Sequence, residues 1–369
     1  GTAISLAGSI LYAAEASGLL TAFDKFSTII ILNTARALQG VSVAVVGLVF
    51  MKCYVSMYAE KDQHWIWPKQ MLAINLGLGL GPLLSGLAES QTSCPGNLRP
   101  LQQHSLMILA TLILCMALCC MLPDLPSDLP GTRERNKRWA TASSSRTEQQ
   151  DVYVLLGTIF MELLRALTAG AMEAGIAYVL EVEHGWDQNK IGLAIAAGFM
   201  SGLPLNAVVD SQFGMRISPM SWIRISSFFN AISSMLFASL VCDHLKSFIG
   251  SCSSLILAAG MLSLPFLYLA SGECWALIAL HALPEGTWLD QNNLNLLGYI
   301  CMDMIGRFMG PVWARYVLAE ASGQDRYAMQ QLVVVAIWAC IFEVVVVPNT
   351  REPNTHNEQK RLSSPRPSF

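Results

Sequence analysis

Long apolar segments recur along the whole chain, and each is close to the length that crosses a lipid bilayer. A membrane-spanning helix needs about 20 largely apolar residues, and ten segments approach or exceed that length. The sequence therefore predicts an all-α membrane protein whose partner is the lipid bilayer. The ten predicted spans are Thr2–Leu20, Thr28–Cys53, Met71–Leu87, Ser105–Leu122, Val152–Tyr178, Ile191–Val209, Trp222–Val241, Phe248–Leu269, Leu294–Leu318 and Met329–Val347.

The eighth predicted span leaves two possibilities open. Apolar character resumes at Trp275–Leu283, after the span ends at Leu269. Because Pro inside a helix bends it, the segment is either one long helix kinked near Pro265 or a span followed by an interfacial piece.

Composition and motif searches narrow the function. Hydrophobic residues make up 53% of the chain and charged residues 13%, against about 25% charged in soluble domains. The net charge of −3 gives no case for a nucleic-acid partner. Most of the ten cysteines lie in apolar runs, which indicates buried thiols rather than a disulfide framework. Phosphate-loop, His-Glu-x-x-His, Cys-x-x-Cys and Gly-x-Ser-x-Gly patterns are absent, so we expect no enzyme, no metal and no cofactor.

Residues 123–151 divide the chain into two parts. They are Pro-rich, then basic, then Ser-rich, which predicts a mobile linker. Alternate connections on one side carry twelve Lys and Arg residues and those on the other side five, so we expect the linker and the tail to face the cytosol. The predicted parts are an N-terminal helical half (1–122), the linker (123–151), a six-helix C-terminal half (152–347) and a disordered cytosolic tail (348–369).

A Gly-x-x-x-Gly-Pro cassette occurs twice, at Gly77–Pro82 in the third span and at Gly306–Pro311 in the ninth. Gly-x-x-x-Gly lets two helix backbones approach closely. Coincidence is one explanation, because Gly and Pro are common in membrane helices, but two matching cassettes favour an internal repeat. The cassettes lie six spans apart, in the third and the ninth, which is the spacing in a transporter of two six-helix halves. We therefore expect two helices to be missing before the first predicted span.

Two motifs resemble those of the major facilitator superfamily. Arg36-Ala-Leu-Gln-Gly40 resembles the Arg-x-x-Gln-Gly motif of its fourth helix, and Gly77-x-x-x-Gly81-Pro82 with Gly86 resembles its Gly-rich fifth-helix motif. Within the superfamily the chain is most similar to the SPX–MFS branch of vacuolar phosphate transporters and its lysosomal relatives. The stretches that carry this similarity are GSILYA (8–13), FMELLR (160–165), residues 173–186 and LPLN (203–206).

The resemblance implies a major facilitator fold of two six-helix halves, with about ten of the twelve helices present. It also implies a monomeric secondary transporter that works by alternating access in a vacuolar, lysosomal or other endomembrane. The expected substrate is a small inorganic anion such as phosphate, with proton coupling. A transporter or channel for another organellar solute and a non-transporting membrane scaffold remain the alternatives.

Ionisable residues inside predicted spans are the candidate site residues, because such groups are costly unless they face a partner or a polar cavity. Glu162, Arg165 and Glu173 share one face of the fifth span, since Glu162 and Glu173 are about 20° apart around a helix. Either Glu162 and Arg165 form a structural ion pair, or these residues line a cavity. In the ninth span, Asp303 and Arg307 have the i, i+4 spacing of a direct pair.

Two further placements complete the predicted site. Arg36, in the second span, either receives an anion, because its planar fork matches phosphate, or orients its helix against Glu15 or Asn33. Glu162 is roughly 15 Å into its span, near the midplane, so we expect it to take part in proton coupling. The candidate substrate-binding residues are Arg36, Glu162, Arg165, Glu173, Asp303 and Arg307, and the candidate helix-crossing residues are Gly40, Gly77, Gly81, Pro82, Gly306, Gly310 and Pro311.

Overall fold

The structure is a computed structural model, and it describes most of the chain from residue 148 onward. Of the predicted N-terminal half it describes mainly one helix, so the second, third and fourth predicted spans lie almost entirely outside the described residues. The same is true of residues 123–147 and of the tail after Thr350. The described residues are 2–16, 30–31, 34–35, 38, 74, 77–80, 83, 113, 148–211, 214, 217–249, 251–283, 286–299 and 305–350.

Regular structure in the described part of the chain is helical, apart from one isolated bridge between Leu283 and Asp290. A π-helical turn, Phe342–Val346, follows the tenth helix without a break. The helices are α1 (Thr2–Ala16), α2 (Glu148–Val182), α3 (Gln188–Met200), α4 (Gly202–Asp210), α5 (Pro219–Leu236), α6 (Ser239–Ile249), α7 (Cys252–His281), α8 (Gln291–Tyr299), α9 (Arg307–Leu318), α10 (Gly323–Ile341) and α11 (Val347–Asn349).

Four helical segments within these ranges are long and apolar enough to cross a membrane. They are Glu148–Val182, Asn189–Val209, Cys252–His281 and Gly323–Asn349. This architecture is that of an all-α membrane protein, as the apolar runs predict.

In the described residues, two predicted spans do not form a helix long and apolar enough to cross a membrane. These are Trp222–Val241 and Leu294–Leu318. The first is interrupted, because α5 ends at Leu236 and a new helix begins at Ser239. α5 also carries five serines, an asparagine and an arginine, which lower its hydropathy. The second is divided between α8 and α9, and the residues between these helices include some that the structure does not describe.

α7 decides between the two possibilities for the eighth predicted span. It is one helix of 30 residues that continues through Pro265. Ser251 caps its start by accepting a hydrogen bond from the backbone N–H of Ser254, a standard N-cap arrangement. Glu273, which falls between two apolar stretches in the sequence, therefore lies inside a membrane-spanning helix.

The start of α2 corrects a predicted boundary. The helix begins at Glu148, whereas the sequence places residues 148–151 in the linker and starts the span at Val152. Asp151 is buried and its carboxylate lies 2.6 Å from Nδ1 of His281, at the end of α7. Because this buried contact needs Asp151 on the helix, the first turn of α2 belongs to the bundle. At the other end, α11 extends two residues into the predicted tail, to Asn349.

α2 and α7 form the centre of the bundle. α2 packs against α7, α9 and α10, and α7 packs in addition against α5 and α3. In the most apolar part of α2, 61% of the residues are buried, against 28% for the segment that contains α10. Large apolar side chains such as Phe228, Phe308 and Tyr316 are exposed on the outside, as expected for a surface in contact with lipid tails. A functional group on the facing sides of α2 and α7 is therefore shielded from lipid.

Polar contacts at the helix ends show that α5 and α10 run antiparallel. Near the start of α5, Arg224 makes two hydrogen bonds of 2.6 and 2.9 Å to Glu343, in the π-helical turn after α10. Just after the end of α5, Ser239 donates two hydrogen bonds to Asp325, in the first turn of α10. Polar contacts thus join the two helices at both ends of the pair. An antiparallel arrangement of this kind is expected of spans that cross a membrane in alternate directions.

Candidate functional site

A buried ion pair lies at the contact of α2 and α7. The Arg165 guanidinium donates to both Glu162 oxygens, from Nε to Oε2 at 2.9 Å and from Nη2 to Oε1 at 2.8 Å. Ser271 of α7 donates a third hydrogen bond, of 2.6 Å, to Oε1 of Glu162. Glu162 is 0% exposed and Arg165 3%. Bidentate arginine–carboxylate pairs of this kind are among the stronger hydrogen-bonded pairs. Both Glu162 oxygens are therefore engaged, and Oε1 joins α2 to α7 through Ser271.

Tyr268 of α7 lies between two arginines from different helices. The Arg165 guanidinium carbon lies over the Tyr268 ring, 5.5 Å from its centroid, and that of Arg307 from α9 lies 5.8 Å from it. The Arg307 guanidinium also donates a hydrogen bond to the Tyr268 hydroxyl oxygen. The hydroxyl in turn donates to Oε1 of Glu173 on α2 at 3.4 Å, near the upper limit for a hydrogen bond. One aromatic side chain of α7 thus connects charged groups of two other helices, α2 and α9.

Glycine residues of the second cassette bring Arg307 into this cluster. A Cβ atom placed on Gly310 would lie 2.6 Å from the backbone oxygen of Leu167 and 2.7 Å from the backbone N of Ala171. A Cβ on Gly306 would lie 2.4 Å from the Cβ of Ala166. α9 therefore crosses α2 with the backbones in contact, as a Gly-x-x-x-Gly pattern predicts. Arg307 follows Gly306 directly, so the crossing fixes its Cα beside α2.

The crossing is matched by a small residue on the other helix. A Cβ on Gly170 of α2 would lie 3.2 Å from Cδ of Pro311 and 3.3 Å from Cα of Arg307. Pro311, the last residue of the cassette, therefore packs directly on Gly170. Both helices have glycine at the crossing, so no side chain keeps their backbones apart.

The structure brings four of the six predicted substrate-binding residues into one cluster. Three of them are on α2 and one is on α9, joined through Tyr268. For Glu162 and Arg165 the geometry favours the ion-pair alternative over cavity lining. The remaining predictions, Arg36 and Asp303 as site residues and Gly40, Gly81 and Pro82 as crossing residues, lie outside the described residues.

Gly77 of the first cassette differs from its counterpart Gly306. Gly77 is helical, but a Cβ on it would meet none of the described atoms within 4 Å. The close approach in this segment is made by Gly79, where a Cβ would lie 3.1 Å from the Cβ of Phe199 on α3. Because Gly79 is two residues along the helix from Gly77, it faces another direction and another neighbour.

Three functional candidates on α7 were missed by the sequence reasoning, namely Tyr268, Ser271 and Glu273. Tyr and Ser are common in apolar runs, so neither residue type pointed to a site. Glu273 could have been found, since treating 252–281 as one helix would have placed a carboxyl group deep inside it. The signal was the resumption of apolar character at Trp275.

Comparison with known proteins gives no family assignment for the chain. No protein-family model matches it, and no curated protein sequence is significantly similar to it.

Proposed function

We propose that the chain is a secondary transporter that moves a small inorganic anion, with phosphate as the first candidate, by alternating access across an endomembrane. The observation that carries the proposal is the placement of two arginines, from different helices, over one tyrosine ring in the interior of an apolar bundle. Burying such charges is costly, and a scaffold needs none of them. The proposed fold is the major facilitator fold, with α2 to α11 forming most of its C-terminal half.

Arg307 and Tyr268 are the anion-binding groups in this proposal. The guanidinium fork of arginine can donate two parallel hydrogen bonds to phosphate oxygens. The Tyr268 hydroxyl adds another donor, since its bond to Glu173 is long at 3.4 Å and an anion oxygen can replace it. Glu173 accepts the hydrogen bond of the Tyr268 hydroxyl when no substrate is bound, and the anion replaces Glu173 as the acceptor when it binds.

Arg165 has a positioning role. Its charge is neutralised by Glu162, and its guanidinium lies over the Tyr268 ring. Cation–π contacts of this type contribute about 0.5–2 kcal/mol. The Glu162–Arg165 pair therefore holds the tyrosine in place for the anion rather than binding the anion itself.

Arg307→Gln should abolish most uptake. The full chain is reconstituted in proteoliposomes and the uptake of radiolabelled phosphate is measured, with sulfate and chloride as competitors. We expect a decrease of about 10- to 100-fold, because hydrogen bonds to charged groups are worth about 1.5–3 kcal/mol. Arg315→Gln is the matched control, since Arg315 is an exposed arginine on the same helix.

Two outcomes contradict this assignment. Equal losses in the Arg307 and Arg315 variants indicate a general effect of removing a charge from α9. Unchanged uptake in Arg307→Gln excludes Arg307 from the binding site. If the unmodified chain moves none of the three anions, the scaffold alternative is favoured instead.

Trypsin should distinguish the proposed orientation from its inverse. The predicted linker contains Arg133, Arg135, Lys137, Arg138 and Arg146, and the Lys and Arg bias places it in the cytosol. In sealed vesicles with the cytosolic face enclosed, trypsin should leave the chain uncut between residues 123 and 147. The same vesicles opened with detergent should yield two large fragments on a gel. Cleavage of this segment in sealed vesicles shows that the orientation is wrong.

A further inference from the structure

Glu273 is a buried carboxyl group that takes no part in the cluster just described. It lies on α7 and is 7% exposed. No hydrogen bond or ion pair joins it to any residue in the described part of the chain. Glu162, on the neighbouring helix, is 0% exposed and accepts three hydrogen bonds. Glu162 is therefore surrounded by hydrogen-bond donors, whereas Glu273 has none among the described residues.

Glu273 lies on a different face of α7 from the one that contacts the ion pair. Glu273 is about 200° around the helix from Ser271, which bonds Glu162, and only about 3 Å along it. Seven residues before Glu273, on nearly the same face, Phe266 stacks on Phe229 of α5 with the ring centroids 4.3 Å apart. Phe229, Asn230 and Ser233 of α5 contact Phe266, Ser263 and Ala259 of α7 in that order, so the two helices are antiparallel. Glu273 is therefore level with Trp222 of α5.

The arginines and the lysine that the structure describes on α2, α3 and α5, the main helices around α7, are already paired with carboxylates. A carboxylate in an apolar interior without a cation is strongly disfavoured. Glu273 therefore resides in this conformation as the neutral acid, next to the buried thiol of Cys274. The pairs are Glu162 with Arg165 on α2, Asp151 of α2 with His281 of α7, Arg224 of α5 with Glu343, and Lys190 of α3 with Asp187.

A row of polar side chains on α5 faces α7 between Glu273 and the start of that helix. Asn230 accepts a hydrogen bond of 2.8 Å from Ser263 of α7, and Ser233 donates to the backbone oxygen of Ala259 at 2.7 Å. Ser226 is one turn from Asn230 toward Trp222. Its hydroxyl is fully buried and has no hydrogen-bond partner among the described residues.

We propose that Glu273 is the proton-binding site of the transport cycle. The carboxylate takes a proton on one oxygen and becomes the neutral acid, and it releases that proton when the helices exchange conformations. No other bond forms or breaks. The inference rests on the proposed transporter function and assigns the coupled proton to Glu273 instead of Glu162, because both Glu162 oxygens already accept hydrogen bonds from Arg165 and Ser271.

The test uses the full chain in two measurements. In proteoliposomes, phosphate accumulation driven by a proton gradient is compared with phosphate exchange in the absence of a gradient. In detergent, infrared difference spectroscopy after a pH jump records the carbonyl band of a protonated carboxyl group. The variants are Glu273→Gln, Glu273→Asp and the control Glu343→Gln, whose carboxylate is half-exposed and bound to Arg224.

We expect Glu273→Gln to lose gradient-driven accumulation and the carboxyl band while it keeps exchange. Glu273→Asp should retain driven accumulation with the band shifted in frequency, and it remains informative if the glutamine variant does not fold. Glu343→Gln should behave as the unmodified chain does. Full gradient-driven accumulation in Glu273→Gln, or a band that persists in it, overturns the proposal.

The spectroscopic measurement separates this inference from the transport proposal. If the unmodified chain moves no anion, the proposed function fails in the transport assay. The infrared band then decides alone whether Glu273 binds a proton. A band that disappears in Glu162→Gln but not in Glu273→Gln assigns the proton to Glu162 and overturns the inference.

Discussion

Gly310→Ala should displace α9 from α2, although the change adds a single methyl group. The new Cβ would lie 2.6 Å from one backbone atom of α2 and 2.7 Å from another. Backbone atoms of a helix cannot move aside singly, so the two helices must separate. Overpacking of this kind costs about 1–3 kcal/mol, and Gly310→Leu should cost more. The thermal unfolding midpoint of the purified chain measures the change.

The same substitution should also impair uptake. Arg307 is one turn before Gly310, so a shift of α9 moves its guanidinium away from Tyr268. Phosphate uptake in proteoliposomes should therefore fall with stability, while insertion into the membrane is preserved.

Gly77→Ala is the matched control for this prediction. Gly77 begins the other cassette, and a Cβ there meets none of the described atoms within 4 Å. Alanine favours a helix over glycine by about 1 kcal/mol, so this variant should be as stable as the parent or more so. If Gly310→Ala and Gly77→Ala unfold at the same temperature, the close crossing does not determine the stability of the bundle.

Glu162→Ala should be the most destabilising single change in the charged cluster. It leaves Arg165, 3% exposed, without its carboxylate partner. Breaking a buried pair from one side costs about 3–5 kcal/mol, because an uncompensated charge remains. Ser271 loses its hydrogen-bond acceptor in the same variant. Thermal unfolding in detergent, together with the yield of folded protein, measures the loss.

Two further variants separate the ion pair from a general effect of losing a carboxylate. Replacing both members, as in Glu162→Leu with Arg165→Met, should recover most of the stability, since apolar substitutes for buried pairs are often tolerated. Glu343→Ala breaks a pair whose side chains are about half-exposed, and such pairs contribute about 0–1 kcal/mol. If Glu343→Ala destabilises the chain as much as Glu162→Ala does, burial of the ion pair is not the cause.

The local features of the site could be read from the sequence. The i, i+3 spacing of Glu162 and Arg165 places both side chains on one helix face, and the structure joins them by two hydrogen bonds. Gly306 and Gly310 lie on one face for the same reason, which is why the pattern indicated a crossing before the partner helix was known. Apolar runs of sufficient length likewise determined that the chain is helical.

Contacts between distant segments required the tertiary structure. Ser271 and Glu162 are 109 residues apart in the sequence, and nothing in either local pattern selects the other. The spacing of Arg307 and Asp303 allows a direct pair, and Asp303 lies outside the described residues; the contact of Arg307 with Tyr268 of α7 is one that no local pattern predicts. A short-range rule finds partners on the same helix, whereas the depth and rotation of neighbouring helices depend on all their packed side chains together.

The start of α2 and the position of Glu273 illustrate the same division. Residues 148–151 are polar, so hydropathy starts the predicted span at Val152. Only the buried contact of Asp151 with His281 brings the preceding turn into the bundle. The sequence shows that residue 273 is a glutamate, but it does not show that this glutamate has no partner among the described residues. That property depends on which charges of the neighbouring helices are already paired, and only the packing of α2, α3 and α5 around α7 decides it.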